Sequence, residues 1–345
     1  MGQRRQAVRE RHARMNRIAA AFAGGVFAFI AAGCARAEPT APLVLERTIA
    51  LANVAGRIDH LAIDPAGAHL VVAELGNHAL DVIDIAAGKV THRIAGLSEP
   101  QGVAFGASGK TIAVAERGDG AVRLFDPQTF AAIGQISLGE DADNVRIDAA
   151  SGHALVGYGG GALAVIDLVA RKVLSKIDLP AHPESFQIEP GGARAFVNLP
   201  DARTIAVVDL ARGAIAQQWK LPNLMWNFPM ALVPDGALLA SVFRLPARLV
   251  LFDRATGAVT ASQPTCGDSD DLFFDTAAHS LYVVCGAGRV DVFMLTGNAL
   301  SAPTRVLTRS GARTGLFAPA LGRLFVAAPA RNGRGAEILV LKRGG

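Results

Sequence analysis

Apolar and polar residues alternate in short runs along most of this chain, and the same run keeps returning. ALDVID ends at Asp84, AVRLFD at Asp126, ALAVID at Asp167, TIAVVD at Asp209 and RLVLFD at Asp253. The spacings are 42, 41, 42 and 44 residues. RVDVFM, ending at Met294, and EILVLK, ending at Lys342, extend the series to seven copies. A period near forty marks a radial or stacked repeat. Alternation with period two is that of a strand with one buried face, and long windows of helical period are missing.

The rest of each repeat has a constant plan. A short apolar run such as HLAID (60–64) or NVRID (144–148) is followed by a tight turn: PAG (65–67), GASG (106–109), AASG (149–152), PGG (190–192), PDG (234–236), PALG (319–322). Glycine supplies positive φ at such corners and proline presets them. A second strand follows (LVVAE, IAVAE, ALVGY, AFVNL), then the repeated third, then a more polar fourth such as KVTHRIAG (89–96). Four short strands per unit predict the blade of a β-propeller. The expected fold is all-β: a seven-bladed propeller with four-stranded blades starting near 59, 101, 143, 184, 228, 270 and 313. The last unit stops without a fourth strand, whereas residues 43–54 (LVLERTIALANV) read as an orphan fourth strand. They are expected to complete the last blade and close the ring, which removes exposed strand edges.

The first 37 residues follow another pattern. Six arginines between Arg4 and Arg17 precede an almost wholly apolar stretch (18–33) and Ala35-Arg36-Ala37. This reads as a secretory signal peptide, since about 16 apolar residues are too few to span a bilayer. Arg4-Arg5 points to twin-arginine export as one variant, and Gly33-Cys34 to a lipoprotein site as another. Residues 38–345 are then the propeller, periplasmic or secreted, with no transmembrane segment after cleavage and a monomer expected. The whole chain carries 34 basic and 30 acidic residues; without the leader these become 27 and 29, net −2. The basic balance thus belongs to the leader, and no nucleic-acid partner is predicted. Cys266 and Cys285 are the cysteines outside the leader. The strands around Thr276–His279 form a hairpin that returns them to the same end of blade six, so in an exported chain they are expected to form a disulfide.

The repeats resemble the YVTN-type, YncE-like bacterial β-propeller family, distantly akin to WD40 rings. The residues that carry the resemblance are 59–90 (DHLAIDPAGAHLVVAELGNHALDVIDIAAGKV) and its copies, CGDSDDLFFD (266–275) and GARTGLFAPALGRLFVAAPA (311–330). The Tyr-Val-Thr-Asn consensus is degenerate (VVAE, AVAE, LVGY, FVNL). The resemblance implies fold more than function, because propellers host both enzymes and inert scaffolds.

By analogy with propellers in general, the binding face is where the innermost strands begin and the second strands end. There the chain offers Asp59, His60, Gln101, Asp143, Asn144, Glu184, Asn227, Asp270, Asp271 and Arg313 before the first strands, and Glu74, Glu116, Tyr158 and Asn198 after the second. The opposite face, with its Gly/Pro turns, reads as bland. An acidic ring holding one arginine attracts cations. A divalent cation at His60, Asp59, Asp143, Glu184 and Asp271 is therefore one candidate cofactor, and no cofactor is required. Trp226 and Phe228 stand at the same mouth, with Arg244, Arg248, Arg331 and Arg334 on neighbouring loops. Nucleophile elbows, haem motifs and phosphate loops are missing from the sequence. The expected function is an exported scaffold that binds a protein or small-molecule ligand through the channel-mouth loops. The alternative is a metal-dependent hydrolase of gluconolactonase-like type.

Overall fold

A computed structural model describes residues 41–234 and 237–344. The leader, Cys34 and two residues of the 234–236 turn lie outside the described residues, and so do the export variants. The chain from 43 onward forms seven antiparallel sheets of a seven-bladed β-propeller. The innermost strands are Leu61–Ile63, Pro100–Phe105, Ala142–Ile147, Phe186–Ile188, Met225–Val233, Ser269–Asp275 and Thr314–Ala318. Blades one to five run inward to outward in chain order. Blade six takes Thr304–Leu307 as its outer strand and adds a two-residue strand, Ala299–Leu300.

The repeated aspartate has a local cause. Each sits where the third strand turns into the fourth and accepts backbone N–H groups of that turn. Asp84 takes the N–H of Ala87 at 2.8 Å, Asp126 those of Gln128 and Thr129, Asp167 those of Val169 and Ala170, Asp253 those of Ala255 and Thr256. A side chain that satisfies turn donors in this way competes well against extended strand. These N–H groups hold the Asp126 and Asp167 carboxyls below their ordinary pKa, and at Asp253 the Thr256 hydroxyl first and then the turn N–H groups do the same.

Packing follows the ring. Seven apolar clusters each join neighbouring blades, for example Leu70, Val72 and Ile83 of blade one with Phe325, Ile338 and Val340 of blade seven. Ring closure is seen directly. Leu43–Leu51 runs antiparallel to the last strand, Ala336–Arg343, and buries Leu43, Ile49 and Leu51. The closing strand ends at Leu51, so 52–54 lead out of the sheet toward blade one. Inner strands approach closely: a Cβ on Gly102 would sit 2.1 Å from the Asp143 carbonyl of blade three, a contact only glycine permits.

Candidate functional site in the central channel

The innermost strands surround a channel that differs at its two ends. At the mouth where these strands begin, Arg57, Asp59, His60, Asp143, Asn144, Glu184, Ser185, Phe228 and Asp270 enclose a space of only about 20 Å³. Cross-linking of charges explains why so little is left. Asp270 meets Arg313 Nε at 2.6 Å and also the guanidinium of Arg244, while Arg313 Nη1 reaches Asp268 at 3.1 Å. Arg244 lies 3.7 Å above the Phe228 ring and donates to the Ser269 carbonyl at 3.0 Å. Arg57 Nη2 lies 2.8 Å from Asp59, and His182 Nε2 lies 3.7 Å from Asp143.

The structure therefore overturns one premise read from the sequence. Arg313 is not the lone cation of this mouth, because Arg57, Arg244, His182 and, one level deeper, Arg146 also surround it. Arg57 comes from the loop before blade one, and His182 from the loop before blade four. Arg244 comes from the lengthened second strand of blade five, Leu238–Leu245. An alignment confined to strand starts misses all three.

Burial still tells on the acids. Asp59 is pushed up to about 6, by desolvation first, against His60 and Arg57 and with help from Asp143 and Asp270. Glu184 is pushed up to about 7 by desolvation and by Asp143, against His182. Desolvation also raises Asp271, although its carboxylate accepts the Gly315 N–H at 2.8 Å. Desolvation pulls His182 down, but the Asp143 carboxylate and the Gly159 carbonyl carry it up to about 9. His60 is also shifted upward: burial opposes its charge, and Asp271, Asp59 and Asp143 outweigh that.

Three sequence candidates lie elsewhere. Glu74 is held by Arg93 at 2.5 Å, which also reaches Asp81, so it belongs to an ion-paired network within blade one. Burial and the adjoining Asp81 push it up to about 8 against Arg93. Glu116 is likewise held by Arg123 at 2.8 Å. Asn227 is fully buried between blades four and five, donating to Asn198 at 2.8 Å and to the Thr204 carbonyl at 3.0 Å, with Ser241 in the same network. Gln101 is buried at the start of blade two. Trp226 remains half exposed, and Phe228 is covered by Arg244.

The other end is open. A cavity of about 850 Å³ runs inward from the turns that read as bland, past Pro65–Gly67, Gly106, Ala149 and Pro319–Leu321. Its wall is largely apolar, with Ile63, Phe105, Ile147, Phe273, Leu316 and Leu321. Its inner end is polar: His60, Arg146, Ser185, Gln187 and Asp271. His60 lines both spaces and marks the level at which the channel is pinched. Its ring nitrogens stand 3.8 Å from Asp59 and 3.8 Å from Asp271, beyond hydrogen-bond reach of either.

Metal-ligating geometry can be tested directly. Among the described residues, the channel carboxylates and histidines do not bring three donor atoms within 4.8 Å of one another. The trio that does is Cys266, Cys285 and Asp291, and its two sulfurs are joined in a disulfide with Cα atoms 6.0 Å apart. Among the described residues no helix is long and apolar enough to cross a membrane.

No protein-family profile matches the chain, and no curated protein is similar to it at a significant level. Solved structures are similar in fold. A chain of the Kuenenia stuttgartiensis hydrazine synthase superposes with a TM-score of 0.71 at 18% identity, covering 82% of this chain and 96% of that one. A chain of a mitotic checkpoint complex superposes with a TM-score of 0.75 at 14% identity, covering 96% and 98%. At such identities the likeness is one of fold alone.

Proposed function

We propose that this protein is an exported binding scaffold of the YVTN-like type that takes a ligand into its central channel from the turn face. The observation that carries the reading is the asymmetry of the channel. One end is closed by the protein's own ion pairs, whereas the other opens as a cavity of about 850 Å³ with an apolar wall and a few polar groups at its floor. Small-molecule sites have this character, with volumes of roughly 300–1,000 Å³. Export rests on the basic-then-apolar leader ending in Ala35-Arg36-Ala37 and agrees with the Cys266–Cys285 disulfide, which needs an oxidising compartment. Metal-dependent hydrolysis has less behind it, because the channel donors do not converge.

The test is a ligand-observed NMR screen of small fragments against the parent and two channel-filling variants. Ala104→Trp fills the wall, and Ala149→Trp blocks the rim, where the side chain is exposed and a folding defect is least expected. Fragments should bind the parent and lose saturation transfer in both variants. Binding that survives both would place the site elsewhere and overturn the reading.

A further inference from the structure

The channel floor is not evenly polar. The residue two positions before each inner turn points along the same level of the ring, and the strand pairings place Ala62, Ala104, Arg146, Ala231, Phe273 and Leu316 there, with Gln187 in blade four. Five of these seven are apolar and one is an amide, so Arg146 is the single charge at that level. Apolar side chains would satisfy packing equally well at the position, as five blades show. A guanidinium there therefore needs a reason beyond the fold.

Its partners do not supply that reason. Arg146 Nη1 donates to the carbonyl of its own neighbour Val145 at 2.9 Å, and the guanidinium lies 5.9 Å from the centre of the Phe186 ring. Among the described residues no carboxylate oxygen lies within 4.0 Å of it. Arginine has five N–H donors, so most of its donors have no protein acceptor. Desolvation pulls its pKa down, opposed only at longer range by Asp271 and Asp143. This contrasts with Arg57, Arg93, Arg123, Arg244 and Arg313, each of which sits within ion-pair distance of a carboxylate. His60 borders the same floor with neither ring nitrogen in hydrogen-bond contact with a carboxylate. The Asp271 carboxylate is already turned to the Gly315 N–H. Asp64 at the rim is engaged by His69 at 2.9 Å and by the Ala68 N–H.

We infer that the channel takes an anionic amphiphile, a carboxylate carried on a hydrocarbon body, with the carboxylate received by Arg146 beside His60 and the hydrocarbon along Ile63, Phe105, Ile147, Phe273 and Leu316. Guanidinium and carboxylate match in a bidentate, charge-assisted pair that strengthens where water is thin. The apolar wall accounts for the rest of the molecule, since burying hydrocarbon needs no directional partner. A simple inorganic anion would leave that wall uncovered. A cationic ligand would place like charges together at Arg146, while Asp59 and Asp270 of the far mouth already have their own arginines and Asp143 faces His182. This inference rests on the channel being the binding site.

The experiment compares three probes of equal chain length: octanoate, octan-1-ol and octyltrimethylammonium. Each is titrated by calorimetry and by saturation-transfer NMR into the parent and into Arg146→Gln. Octanoate should bind at least about tenfold tighter than octanol, the scale of one charge-assisted hydrogen-bonded pair. Arg146→Gln should erase that preference while octanol binding stays within about twofold. Equal binding of all three, or tightest binding of the ammonium, would overturn the anionic assignment and leave the channel as the site. Should none of the three bind while Ala104→Trp and Ala149→Trp still suppress other fragments, the amphiphile is wrong and the scaffold reading stands. Should nothing bind to the channel at all, both fall. If Arg146→Gln does not fold, the octanoate-to-octanol ratio in the parent still decides.

Discussion

The two ends of the channel are built from the same seven strands and solve opposite problems. At the strand-start end, loops bring acids and arginines together, and Asp270 with Arg244 and Arg313 shows the result: paired charges that fill the opening. At the turn end, Gly and Pro corners keep side chains small and apolar, and the space stays open. Charge density alone therefore does not mark a binding face. A cluster of acids that carries its own counter-ions is a seal, whereas one guanidinium with no carboxylate in ion-pair reach, at the floor of a largely apolar cavity, asks for a ligand. The difference lies in satisfaction, not in polarity.

The largest test removes the ring on which both ends depend. Deleting 38–54 takes away Leu43–Leu51, leaves one edge of the last strand unpaired and exposes the apolar cluster that Ile49 and Leu51 cover. The cooperative melt followed by circular dichroism should disappear, or the protein should become insoluble. A truncated chain with the parent's melting temperature would show that closure is dispensable.

Both the ring and its closure could be foreseen from the sequence, because blade cores repeat with period two and blade turns with fixed chemistry. The aspartates ending at 84, 126, 167, 209 and 253 are local signals, read without any tertiary knowledge. The site was harder to foresee. Asp59, His60, Asp143, Asn144, Glu184 and Asp270 do gather at one mouth, while Glu74, Glu116 and Asn227 turn into intra-blade and inter-blade networks. Which way a strand-end acid faces depends on whether an arginine waits on the next strands, as Arg93 and Arg123 do. Arg146 had a signal that strand starts alone do not reveal: aligned at the turn instead, it is the charged residue among alanines and large apolar side chains.

The sealed end can be loosened by stages. Reducing the Cys266–Cys285 bridge, which closes a separation of 19 residues beside Asp268 and Asp270, should cost about 3 kcal/mol by chain entropy. Thiol titration of unfolded, non-reduced protein that begins at residue 38 should find no free thiol, and two would refute the bridge. Asp270→Ala leaves Arg244 and Arg313 facing each other. Because the group is partly exposed, the expected loss is on the order of 2 kcal/mol, between roughly 0–1 for surface pairs and about 3–5 for fully buried ones. Denaturant melts should show it. The same substitution should leave fragment binding at the turn end unchanged, and a parallel loss of binding would mean that the two ends are not independent.

The smallest expected effect is one of pH, and it separates the ends by titration. Glu184, at the sealed end, rises from an ordinary 4.5 to about 7 in the folded protein, by burial first and then by Asp143. Between those values the folded state holds a proton that the unfolded chain has released. Stability contributed by this group is thus complete below pH 4.5 and fades as pH rises toward 7. His182 acts in the same direction in a later window. Burial pulls it down, Asp143 and Gly159 carry it from 6.5 to about 9, and its stabilisation is full below 6.5 and lost as pH approaches 9. Glu184→Gln removes only the first window. The melting temperature of the variant relative to the parent should climb from pH 4.5 to 7 and then level off. One pKa unit is about 1.4 kcal/mol, and the partial exposure of Glu184 reduces the gain above pH 7 to the order of 1 kcal/mol. Octanoate affinity measured at pH 7 should be the same in both proteins, because Glu184 lines only the sealed space. A variant whose melting temperature keeps a constant offset from the parent at every pH would show that Glu184 titrates alike in the folded and unfolded chain and that the sealed end is more fully compensated than its burial implies.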